Sequence, residues 1–145
     1  MQVRRWLSSA ANVLDLAIRL YVANVFFSSG LTKIRDWDST LALFQDEYRV
    51  PLLPPDIAAF LGTFCELFFP VLLALGLASR FTAFSLTCFN ILAVVSYWHV
   101  LKDIEPALAQ HFYWGTLLLV TLLHGPGKLA LDHLIWPRLS RLTPA

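Results

Sequence analysis

Charge is what this chain has least of. Its 145 residues include 11 Lys and Arg, 10 Asp and Glu, and a formal net charge of +1, while 57% are hydrophobic. A soluble domain carries about a quarter charged residues, so 14% charged argues against an aqueous fold. The near-zero balance and the lack of an arginine-rich arm leave no electrostatic footprint for nucleic acid. Cysteine is equally scarce. Cys65 and Cys88 stand alone inside apolar segments with no C-x-x-C pair, which excludes a disulfide framework and a thioredoxin-type redox motif. They read as small apolar residues rather than reactive thiols. No stretch of alternating polarity indicates a membrane barrel, and no internal repeat of the kind common in transporters is evident. Low-complexity segments are also missing.

What the chain does have is long apolar runs. A spanning helix needs about 20 mostly apolar residues. Four segments qualify, at residues 13–31, 57–77, 81–101 and 108–123, the last extending toward Glu105 and His124. Helices satisfy their own backbone groups in lipid. Short connections at residues 78–80 and 102–107 make neighbours antiparallel. The expected fold is therefore all-α: one integral membrane domain over residues 1–145, built as a four-helix up-down bundle. The two arginines before the first run do not make a cleaved signal peptide, because the run is long, carries charge and has no small-residue cleavage site after it.

The first connection, residues 33–56, is polar, then amphipathic, then proline-rich. Asp38 or Ser39 is placed to cap a short helix from about Thr40 to Tyr48, with Leu41, Phe44 and Tyr48 on one face. That piece rests on the membrane surface or covers the bundle. Pro51, Pro54 and Pro55 then hold off helix until Asp56, which is placed to cap the second span. After the fourth run, Gly125-Pro126-Gly127 stops the helix, and residues 129–136 form a short interfacial helix with Leu131, Leu134 and Ile135 as its apolar stripe. Arg4, Arg5, Arg80, Lys128, Arg138 and Arg141 lie on one side; Lys33, Arg35, Arg49 and Lys102 are spread over the other. This bias puts both termini in the cytoplasm, with Trp6 and Trp136 at the inner interface and Trp37 and Trp98 at the outer one.

Two charges fall where lipid should be: Arg19 in the first run and Glu66 in the second. An ionisable side chain at the centre of a span costs at least about 2.5–3.5 kcal/mol, so each needs a partner, a cavity or a task. Counting from the inner span ends at 1.5 Å per residue gives depths of about 9 Å for Arg19 and about 16 Å for Glu66. Two long side chains bridge that difference, and an Arg19–Glu66 ion pair is expected. Asp15 competes for Arg19 from the same helical face at i, i+4. Lys33 either snorkels to the headgroups or points inward at a polar site. The pair fits two readings: a staple fixing helix pairing, or the lining of a ligand or proton path. Burial favours a protonated carboxyl, which suits Glu66 to proton exchange. Pro70 removes the amide that would bond the Glu66 carbonyl and adds a second polar spot there.

Arg19 followed by Phe26-Phe27-Ser28-Ser29-Gly30-Leu31-Thr32-Lys33 resembles the first helix of the DoxX family, with its arginine and F-x-x-x-G-x-x-K ending. Val50-Pro51 and then Glu66 in C-E-L-F-F-P-V-L-L-A-L-G-L-A-S-R are similar to the family's glutamate and its L-G-L-x-T-R turn, with Ser79 in place of threonine. Gly125-Pro126-Gly127 with Asp132 resembles a common family ending. The likeness runs over most of the chain. It implies a bacterial inner-membrane protein. Some relatives are the small subunit of a thiosulfate:quinone oxidoreductase, and others partner oxidative-stress or metal-handling enzymes. The length leads one to expect a single short unit, without the extra domain of some thiosulfate-oxidising forms.

A second constellation is His99 and His111, flanking a loop with Asp103 and Glu105; imidazole and carboxylate suit zinc, copper or iron, or two histidines a haem. Neither H-x-x-x-H nor H-E-x-x-H spacing supports a metal, and interfacial histidines beside hydrated acids account for them. Tyr97, Trp98, Phe112, Tyr113 and Trp114 gather nearby as an aromatic belt, or as a surface on which a quinone ring could stack. The leading expectation is a redox-associated subunit with a polar pocket of Arg19, Glu66 and Lys33 that holds a quinone-like headgroup. Arg19 would bind a carbonyl or pair with Glu66, Glu66 would manage a proton, and Lys33 would add charge at the mouth. The chain shows no electron carrier of its own, so a redox partner or the quinone must supply one. The alternative is a non-enzymatic scaffold or assembly partner for soluble redox or metal-handling enzymes.

Overall fold

The computed structural model describes residues 2–139, without the side chains of residues 3–5 and 136–139. The roles given above to Arg4, Arg5, Trp136, Arg138 and Arg141 lie outside the described residues. Every regular element described is helical: α1 (Gln2–Arg35), α2 (Trp37–Asp46), α3 (Pro55–Leu75), α4 (Ser79–Ser96), α5 (Trp98–Leu101), α6 (Glu105–His124) and α7 (Leu131–Leu139). Among the described residues, Trp6–Arg35, Pro55–Leu75 and Ser79–Ser96 are long and apolar enough to cross a membrane. α6 has 20 residues, but Gln110, His111 and Thr116 dilute its apolar character.

The burial pattern is that of a protein turned toward lipid. Phe60, Phe64, Phe68, Phe81, Phe84 and Ile91 keep about half their surface exposed, whereas Arg19, Glu66, Thr82 and Asn90 are buried. Water would penalise an apolar surface of that extent; lipid does not. α1 packs on α3, α3 on α4, α4 on α6, and α6 back on α1. Val22, Ala23 and Phe26 of α1, Leu73 of α3, Ala83 and Leu86 of α4, and Leu118 of α6 meet in one core cluster. α1 and α3 run antiparallel, since Arg19 lies against Leu73 while Gly30 lies against Glu66 and Leu67. A Cβ on Gly30 would come 2.9 Å from Leu67, so the missing side chain sets how closely these helices approach.

Several boundaries differ from the sequence reading. α1 is 34 residues long, about 51 Å at 1.5 Å per residue, and extends well beyond the expected residues 13–31. α2 begins earlier than expected because Asp36, rather than Asp38 or Ser39, caps it; its Oδ1 accepts the Ser39 amide at 3.0 Å and Oδ2 the Ser39 hydroxyl at 2.6 Å. Asp56 does not cap α3. That helix starts with Pro55 in its first turn, and Asp56 instead accepts the Gln45 side chain at 3.2 Å. The expected run 81–101 breaks at Tyr97. The Ser96 carbonyl, which a continuing helix would give to Val100, accepts the Arg49 amide at 2.9 Å, and Val100 bonds Tyr97 instead. α5 is the short helical turn left beyond the break.

Candidate functional site

The intramembrane charges separate into two sites. Arg19 is 1% exposed and makes no pair with Glu66. Its Nη1 donates to the carbonyls of Leu73 and Ala74, each at 3.2 Å, and its Nη2 donates to the Leu129 carbonyl at 2.7 Å. Leu73 and Ala74 belong to the last turn of α3, whose carbonyls attract a cation. The expected Arg19–Glu66 pair fails for a simple reason of length. Glu66 lies level with Ser29 and Lys33, and Lys33 is about 21 Å beyond Arg19 along α1. Depths counted from an assumed helix start at residue 13 hid that distance. Asp15 does not bond Arg19 either; it lies beside Gly127.

The same end of the bundle is tied down by the chain after α6. Gly76 closes α3 in the left-handed region at φ 70°, and a Cβ there would run into the Arg19 guanidinium and Ala130. Asp132 accepts the Ala78 and Ser79 amides at 2.7 and 2.8 Å, covering the N-terminus of α4, while its own amide bonds the Gly76 carbonyl. Sequence reading missed this role for Asp132. The only hint was an acid placed soon after a glycine-proline stop.

The second site is at the far end of the α1–α3 contact. Glu66, 6% exposed, receives Lys33 Nζ on Oε2 at 2.6 Å and the Ser29 hydroxyl on Oε1 at 3.1 Å. Lys33 Nζ also donates to Ser29 Oγ at 3.0 Å. Ser29 and Lys33 are one turn apart on α1, and the three polar groups close a triangle. Two of the three ammonium protons are thereby engaged. Lys33 and Glu66 form one wall of a cavity of about 290 Å³, close to the lower end for a small-molecule site. Its other walls are nearly all carbon, from Leu61 of α3 and Phe89, Leu92 and Ala93 of α4. Cys65 also borders it.

Residues 44–53 roof the cavity. Phe44 and Tyr48 rings lie 4.8 Å apart, as do Tyr48 and Tyr97. The Tyr97 hydroxyl donates to Glu47 at 2.7 Å, and the Arg49 amide ties the same segment to Ser96. Burial first, and then the nearby Glu66 charge, push the Tyr48 phenol up to about 12. On the other side of Lys33 is a more open cleft of about 460 Å³ bordered by Ser29, Thr32, Asp36 and Ser39. Lys33 thus borders both the cleft and the apolar cavity, and Ser29 borders the cleft. That arrangement can hold a polar headgroup with a greasy body and pass protons to it through hydroxyl, ammonium and carboxyl.

The histidine constellation does not assemble. No group of three or more His, Cys, Asp or Glu able to hold a metal forms among the described residues. His99 meets Tyr97 edge-on, whereas His111 bonds Asn90 across α4 and α6. Asn90 was overlooked in the sequence, although an amide in the middle of an apolar run is a recognisable signal for an interhelical bond.

A lipid-facing helix bundle with ionisable residues buried between its helices is the class of a multi-pass membrane protein. The DoxX family model matches residues 14–99, and the chain belongs to that family. It is also 36% identical over 129 residues to a Haemophilus influenzae protein described only as "Uncharacterized protein", covering 83% of this chain and 82% of that one. No solved structure matches.

Proposed function

We propose that this DoxX protein is a redox-associated membrane subunit that binds a quinone headgroup in the cavity beside Lys33 and Glu66. The observation that carries the reading is the Lys33–Glu66 pair, 2.6 Å apart, in the wall of an otherwise apolar cavity. A quinone carbonyl would take the remaining Lys33 proton. Glu66 would exchange protons with the cleft by way of Ser29, and the isoprenoid tail would leave toward lipid between the apolar walls. Electrons would come from a partner protein, because the chain's own residues include no evident carrier. Four spanning helices, α1, α3, α4 and α6, would run up and down a bacterial inner membrane with both termini cytoplasmic, the orientation favoured by the lysine and arginine bias. Arg19 has no part in the pocket.

A second reading is a non-enzymatic scaffold for soluble redox or metal-handling enzymes. It is favoured by the loop after α2, where Leu52 is fully exposed at φ 65° next to Leu53, a residue bordering the cavity. Mass spectrometry of lipophilic molecules co-purifying in mild detergent separates the two. Quinone retained by the wild type and lost from a Glu66→Gln variant of unchanged melting temperature supports the pocket. Folded wild type without quinone, or equal retention in both, leaves the scaffold.

A further inference from the structure

A different pair of helices holds a second polar feature that the quinone reading does not use. The Asn90 side chain donates from Nδ2 to the His111 backbone carbonyl at 2.9 Å, and its Oδ1 lies 2.9 Å from His111 Nδ1. A backbone carbonyl only accepts, so the amide nitrogen must face it, which leaves the amide oxygen facing the ring. An oxygen acceptor requires a proton on Nδ1. Neutral His111 is thereby held as the Nδ1–H tautomer, and Nε2 keeps a free lone pair.

That lone pair has no hydrogen-bond partner among the described residues. His111 and Asn90 border a groove of about 370 Å³ between α4 and α6. Ile91 and Leu119 line it with carbon. The hydroxyls of Thr87 and Thr116, also on its wall, are already given to the Ala83 and Phe112 carbonyls at 2.8 and 2.9 Å. His111 therefore borders an apolar groove and keeps one unspent acceptor, Nε2. It is about 9 Å from the start of α6, a depth at which amphipathic rings collect. Trp114 meets the imidazole edge-on at 5.1 Å and braces it.

We infer that the α4–α6 groove is a second ligand site, which takes a membrane-dissolved phenol or hydroquinone through an O–H···Nε2 hydrogen bond to His111. The chemistry complements that of the first cavity. Lys33 offers a donor and suits a carbonyl, whereas His111 offers an acceptor and suits a hydroxyl. The groove stands whether or not the first cavity binds a quinone.

The test is nitrogen NMR of isotope-labelled histidine in the full chain in lipid nanodiscs, with para-heptylphenol as probe and heptylbenzene as its hydroxyl-free control. The wild type is expected to show the Nδ1–H tautomer at His111. Heptylphenol should shift the Nε2 signal saturably, and heptylbenzene should not. His111→Phe should bind heptylphenol about tenfold more weakly, the worth of one hydrogen bond out of water. Glu66→Gln should bind it as the wild type does. A mixed tautomer in the wild type, or equal shifts from both probes, overturns the site. So does heptylphenol binding that Glu66→Gln abolishes, which would assign the ligand to the first cavity. The wild-type spectra decide the matter even where a variant fails to fold.

Discussion

The two ends of the α1–α3 contact bury charge in opposite ways. Arg19 is surrounded by backbone: three carbonyls from two segments accept its protons, and Gly76 is shaped to let it in. Glu66 is surrounded by side chains, with Lys33 and Ser29 on one side and a cavity on the other. Backbone partners are fixed by the helices that carry them and cannot be exchanged for a ligand. Side-chain partners can rotate, share protons and make room. A buried charge met by carbonyls is thus a fastener, and one met by side chains beside a cavity is a candidate site. The price of burial alone does not tell the two apart.

Breaking the fastener should have the largest effect. Arg19→Met leaves the Ala74 and Leu129 carbonyls without that donor and should cost about 3 kcal/mol in detergent unfolding, with ligand content per folded molecule unchanged. A variant that keeps its stability but loses ligand would erase the contrast between the ends. Gly76→Ala comes next. Its added methyl meets Arg19 and Ala130 at a backbone angle that L-residues avoid, and about 2 kcal/mol should be lost in the same assay. An unchanged melting temperature there would mean that the turn adjusts more freely than Arg19's close fit implies.

The mildest test concerns the roof. The Tyr48 phenol is raised from 10.0 to about 12, so the folded protein holds that proton more tightly than the unfolded chain does. The stability this contributes is fully present below about pH 10 and is lost as pH rises from there toward 12. An absorbance titration should find one tyrosine ionising near 12, and Tyr48→Phe should remove it. Ionisation at the ordinary phenol value would mean that the roof stands open over the cavity.

Much of this was legible in the sequence because lipid simplifies the pattern. Apolar runs located α3 and α6 to within a few residues and overran the end of α4 by five, and helical spacing put Leu41, Phe44 and Tyr48 on the face that packs against Ala58 and Ala59. The charges were recognised as out of place but wrongly paired. The length of α1 was hidden by its polar opening stretch, and a register error of one or two turns joins the wrong partners. Backbone acceptors are also invisible to residue-type reasoning. No side chain in the sequence announces that the Leu73, Ala74 and Leu129 carbonyls will receive Arg19. Lys33 was given two options, and only the geometry of Ser29 and Glu66 chooses the inward one.

The arginine's last partner has a consequence for the order of events in the cell. Arg19 and Leu129 are 110 residues apart, and a ribosome adding about 5–20 residues per second needs on the order of 10 s to cover that interval. Through that time the first helix carries an incompletely partnered cation. Leu73 and Ala74 become available roughly halfway through and can hold it provisionally. Only when the segment around Leu129 and Asp132 folds back are the α3–α4 turn and the guanidinium both closed. The bundle is fastened by a segment made well after the helices it ties together, so a chain not yet extended that far remains open to insertion machinery and to proteolysis.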